Sequence, residues 1–145
     1  MKARTVLGSL VLISVLVLPV FAAGTGQLQG YFSDASHRVK ATVDPAEKRQ
    51  ILNNSFESMS AVLGVVRSLP LVSKDDVAGI DHARAAINEK KDELAGTNGY
   101  ARVPDARLNA FSDYVVQDME QADQVITISV VTLLLIIILI VLIVK

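Results

Sequence analysis

Residues 44–66 read DPAEKRQILNNSFESMSAVLGVV, and this stretch decides the fold class. Asp44 is a helix N-cap acceptor, Pro45 occupies the tolerated first helical position, and Glu47 completes a capping box. Leu52, Phe56, Met59, Leu63 and Val66 follow at spacings of four, three, four and three, which places them on one stripe of an α-helix. Pro70 stops it. The reading is a helix over roughly 45–68 that must bury one face against something else.

Two more helices follow by the same logic. Ser73 caps the second, Asp75 and Asp76 face its positive end, and Val72 with Val77 form a hydrophobic staple. Val77, Ile80, Ala83, Ile87 and Leu94 make its stripe, and Gly96-Thr97-Asn98-Gly99 ends it near residue 95. The third helix begins near Pro104-Asp105 and carries Leu108, Phe111, Val115, Met119 and Ala122 on its apolar side. Residues 28–42 offer a fourth through Leu28, Phe32, Ala35, Val39 and Thr42, although Gly30 and the alternation from Val39 to Val43 blur the signal. Short connections favour antiparallel neighbours. The expected fold is all-α: a small antiparallel bundle of three helices, or four if residues 28–42 dock.

The two ends differ from this middle. Of the 145 residues, 51% are hydrophobic, and the excess sits in residues 6–22 and 125–144. Residues 1–22 have the three parts of a secretory signal peptide: basic Lys2 and Arg4, an apolar run from Val6 to Leu18, and Val20-Phe21-Ala22 as a cleavage site. Residues 125–144, VITISVVTLLLIIILIVLIV, hold no charge. As a helix they would be about 30 Å long, matching a bilayer's hydrocarbon core. No glycine or proline occurs from Asp105 onward, so the third helix is expected to continue into this segment as a stem. The domain plan is therefore a signal peptide at 1–22, a linker or short extra helix at 23–43, an exported bundle at 44–124, a transmembrane helix at 125–144 and a cytoplasmic end at 145. All acidic residues lie between the two apolar ends, while Lys2, Arg4 and Lys145 flank them. The positive-inside rule then puts residues 23–124 on the non-cytoplasmic side and Lys145 in the cytoplasm.

Chemistry-bearing patterns are sparse. There is no cysteine, which excludes disulfides, thiol nucleophiles and Cys-ligated metals. His37 and His82 stand outside any paired metal spacing. Asn53-Asn54-Ser55 matches a glycosylation sequon, but it falls inside a predicted helix. The run Glu89-Lys90-Lys91-Asp92-Glu93 reads as a solvated helix face. A net charge of −4 over residues 23–124, without a basic stripe, argues against nucleic acid. No catalytic, cofactor-binding or metal site is expected.

Interaction surfaces are the alternative. The Gly96–Val103 loop should form the tip farthest from a bilayer, with Asn98, Tyr100 and Arg102 as candidate partner contacts. Leu69, Pro70, Leu71 and Val72 should form a membrane-near loop, and Ser129 with Thr132 a candidate transmembrane contact face. The expectation is a non-enzymatic single-span protein of the cell envelope, displaying a helical interaction or structural module and engaging a protein partner or itself. The alternative is a small accessory subunit of a membrane complex, recognised through its transmembrane helix.

Overall fold

The computed structural model describes residues 27–125 and 130–144. They form five α-helices and no strand: α1 (Gln27–Ala41), α2 (Pro45–Arg67), α3 (Lys74–Ala95), α4 (Leu108–Val125) and α5 (Val130–Val144). A single 3-10 turn, Asp105–Arg107, leads into α4. Residues 1–22, expected to be a signal peptide, and Ser129 and Lys145 lie outside the described residues.

The helix ends are set by the residues expected to set them. Asp44 Oδ1 accepts the Ala46 N–H at 3.1 Å, and Ser73 Oγ accepts that of Asp76 at 3.2 Å. Each satisfies one of the donors that a helix start leaves without a partner. Gly96 ends α3 in the left-handed conformation, φ 77°, with its N–H bonded to Asp92 O at 2.8 Å.

α1 to α4 close into an up-down-up-down ring in which α1 packs on α2, α2 on α3, α3 on α4, and α4 back on α1. Ion pairs show the directions: Arg67 meets Asp81 at one level of α2 and α3, and Glu57 meets Lys91 at another. α2 and α4 start at the same pole, where Lys48 Nζ reaches Asn109 Oδ1 at 2.7 Å. The core is built mainly from the stripes read above, with Val77 only half-buried and Tyr31 and Val62 added. Leu52, Phe56, Met59, Leu63, Val66, Ile80, Ala83, Ile87, Leu108, Val115 and Met119 are all buried.

Residues 28–42 do dock as a fourth helix. Leu28, Phe32, Ala35 and Val39 are buried, and Phe32 packs on Phe56 with ring centroids 5.5 Å apart. Burying each large apolar side chain contributes about 1.5–3 kcal/mol, enough to override the weak helix signal from Gly30. Thr42 falls just past the helix end and donates its hydroxyl to Arg38 O at 2.9 Å.

Where α1 meets α4 the contact is partly polar. Ser36 Oγ and Ser112 Oγ share a hydrogen bond of 2.9 Å, and Lys40 pairs with Asp113 at 2.6 Å. The Lys40 ammonium holds the Asp113 carboxyl below its ordinary value of 3.8. A depressed carboxyl contributes stability above 3.8 that is lost as pH falls through the depressed value. Asp34 has the opposite sign: burial raises it against the pull of Arg38 and His37. Its contribution is present below 3.8 and is lost as pH rises through the raised value. Urea midpoints measured from neutral pH downward should therefore separate two variants. Asp113→Asn should soften the loss of stability below about pH 4, and Asp34→Asn should steepen it while stabilising the bundle at pH 7.

Gly64 of α2 faces Arg84 of α3, and a Cβ there would come no nearer than 3.6 Å to the guanidinium. That is ordinary contact, so Gly64→Ala should add about 0.5–1 kcal/mol through helix propensity alone, read as a higher thermal midpoint.

The C-terminal helix departs from expectation. α4 is described as far as Val125, and α5, described from Val130, does not extend away as a stem but lies back along α2. An extended stem would leave the whole apolar helix in water, whereas folding back buries one side of it. Among the described residues no helix is long and apolar enough to cross a membrane, α5 itself having 15 residues.

Candidate functional site

α5 and the flank it covers form the most distinctive surface of the molecule. α5 carries no charged residue in its described length. Thr132, Ile136 and Ile140, one turn apart from each other, are buried. Ile140 and Ile143 share a crevice with Tyr31 of α1 and with Ser58, Met59 and Val62 of α2. At the other end Thr132 Oγ1 donates to Asp76 Oδ2 at 2.7 Å, both groups being buried. Asp76 lies in the first turn of α3, where the helix dipole favours a carboxylate. The opposite side of α5 is uncovered: Leu134, Ile138 and Leu142, again one turn apart, are 50%, 53% and 62% exposed. A uniformly apolar helix is thus half satisfied by the bundle.

Thr132 was expected to face another chain. In the docked arrangement its hydroxyl bonds within the chain, to Asp76. Sequence patterning could not reveal this, because a helix apolar on every side has no periodicity to mark the docked face.

The Leu69–Val72 connection lies at the pole where α3 begins and α5 starts its return. Pro70 is exposed and Leu71 is 73% exposed, while Leu69 is half-buried and Val72 packs partly against the core. The opposite pole holds the Gly96–Val103 loop, and it is tied down. Asp92 accepts from Thr97 Oγ1 at 2.8 Å and from Asn98 Nδ2 at 2.7 Å, and these bonds pull its carboxyl below the ordinary range. Gly96, Asn98 and Gly99 all take positive φ. From inside, Arg49 donates to Val103 O, to Asp105 at 2.7 Å and to Leu94 O at 3.4 Å. Tyr100 and Arg102 stand exposed on this braced loop. Glu89, with a smaller effect of burial, pushes the Tyr100 phenol above its ordinary value.

One expectation is overturned in the charged run of α3. Lys90 is not on a solvated face; it is fully buried. Its Nζ lies 2.8 Å from Asp118, 3.0 Å from Glu93 and 2.8 Å from Tyr114 Oη. Burial pulls the ammonium down, but the hydrogen bonds it donates to Asp118, Tyr114 and Glu93 outweigh it, and the net displacement is upward. The signal was available, since residue 90 falls in the gap of the Ile80, Ala83, Ile87, Leu94 stripe. The ammonium sits 4.4 Å from the Tyr114 ring centroid as well.

His37 and His82 are both exposed, on α1 and α3 respectively. Among the described residues no three His, Asp or Glu side chains converge in a way that would hold a metal ion. Ser55 of the sequon is buried and bonds back to Ile51 O at 2.7 Å. No family model, curated protein or solved structure matches the chain.

Proposed function

We propose that this chain is a non-enzymatic, single-span envelope protein that presents α1–α4 outside the cytoplasm as an interaction or structural module. The observation that carries this reading is the uncovered row Leu134, Ile138 and Leu142 on a helix without a polar side. A large contiguous apolar surface marks a protein or membrane contact. In the sequence, the uncharged stretch 125–144 has the number of residues that a bilayer-spanning helix requires. Orientation rests on Lys145 at one end of that stretch and on the lack of Lys or Arg from Leu108 to Gln124 before the other. The accessory-subunit reading draws less support, because the Thr132 hydroxyl already has a partner inside the chain.

Two measurements test this. The full chain should stay with membranes through alkaline carbonate extraction; release as complete as that of a soluble control would reject the span. A cysteine at position 100 would be the chain's only thiol, since none occurs naturally. Tyr100→Cys should react with a membrane-impermeant maleimide in intact cells, and labelling only after lysis would reverse the orientation.

A further inference from the structure

We propose that the α2 flank beside Tyr31 is a docking site for the chain's own membrane segment, which α5 leaves for the bilayer, with the Thr132–Asp76 hydrogen bond as the latch. This rests on the membrane reading above. The ring α1–α4 is closed without α5, each helix having two neighbours in it. Phe32, Phe56, Leu63, Ile87, Leu108 and Met119 belong to that ring, so departure of α5 leaves the central packing in place.

The two positions of α5 exclude each other. Docked, the helix lies against α2, whose Glu57 and Arg67 form exposed ion pairs with Lys91 and Asp81 of α3. Charged groups of this kind are costly in hydrocarbon, so the bundle cannot follow α5 into a membrane. A bilayer covers every side of α5, whereas the flank covers the Thr132, Ile136, Ile140 side and leaves Leu134, Ile138 and Leu142 in water. What favours the flank is polar: a short bond to a carboxylate that is itself held at a helix start. The docked form therefore screens half of an apolar helix while no membrane is present, and lipid competes for it.

The absence of native cysteine makes the exchange measurable. Ser58→Cys and Ile143→Cys place thiols on the two walls of one crevice, and a short bismaleimide should join them in the detergent-free full chain. Vesicles of phosphatidylethanolamine and phosphatidylglycerol should suppress the cross-link at least fivefold. Thr132→Val should lower the lipid concentration that halves cross-linking by about tenfold, the worth of one hydrogen bond to a charged group, and Thr132→Ser should restore it. No cross-link without lipid, cross-linking indifferent to lipid, or a Thr132→Val midpoint equal to that of the parent would each overturn the proposal. Ile138→Cys on the same vesicles reports the membrane reading separately. Its protection from an impermeant maleimide, with cross-linking unchanged, keeps the span and rejects the exchange. Failure of both rejects both.

Discussion

Replacing Lys90 with alanine should cost the bundle about 3 kcal/mol, and replacing it with methionine about 2, lowering the urea midpoint by about 1–2 M. The difference between the two is the aliphatic stem, which methionine keeps and alanine leaves as a cavity. The common part is the fate of the partners. Without the ammonium, Glu93, Asp118 and the Tyr114 hydroxyl face each other with no cation between them. Removing one member of a buried ion pair costs about 3–5 kcal/mol. Asp118 remains about a third exposed and can recruit water, so the expected loss lies at or below the lower end. The raised Lys90 ammonium contributes stability below its ordinary 10.5, and that contribution disappears only as pH climbs through the raised value. The parent's advantage over the methionine variant should accordingly be flat from neutral pH to the ordinary lysine value. A methionine variant as stable as the parent would show that the three partners manage without the charge.

Gly96→Ala is the second large effect, at about 2–4 kcal/mol. Two costs add at this position. The backbone stands at φ 77°, where an alanine loses about 1 kcal/mol. A Cβ would also lie 2.7 Å from Arg102 N and 2.9 Å from Arg102 Cα, and backbone atoms cannot swing aside as a side-chain tip can. The loop must move, loosening the Asp92 bonds to Thr97 and Asn98. Gly99→Ala is the internal control: φ is 88°, but nothing lies within 4 Å of the added carbon. It should cost about 1 kcal/mol, the backbone term alone. Thermal unfolding of the two variants separates strain from collision, and equal losses would remove the close approach of Arg102 from the account.

Most of the bundle was legible because its helices advertise a face. The stripes of α2 and α4 were read residue by residue, and the caps at Asp44, Ser73 and Gly96 do what their side chains allow. α1 was half legible, since Gly30 and a β-like alternation obscured a stripe that tertiary burial then enforced. Two kinds of feature escaped. Lys90 and Arg49 owe their roles to partners 28 and 56 positions away, Asp118 and Asp105, and local charge patterning is blind at that separation. The return of α5 escaped for the opposite reason: uniform hydrophobicity says that a helix wants cover without saying from what.

The course of the chain through the ring has a mechanical corollary. α1 sets out from the pole at which α4 finishes, the one marked by Leu69–Val72, and the braced loop with Tyr100 and Arg102 occupies the other. Tension between Gln27 and Val125 therefore acts across neighbouring helix ends and peels α1 from α4 one turn at a time, starting among Leu28, Met119 and Ala122 and reaching Ser36–Ser112 later. A tether built to resist stretching would place its attachments at opposite poles, so that all contacts shear together. This ring holds its far loop in a fixed shape, yet it yields progressively when drawn apart from below.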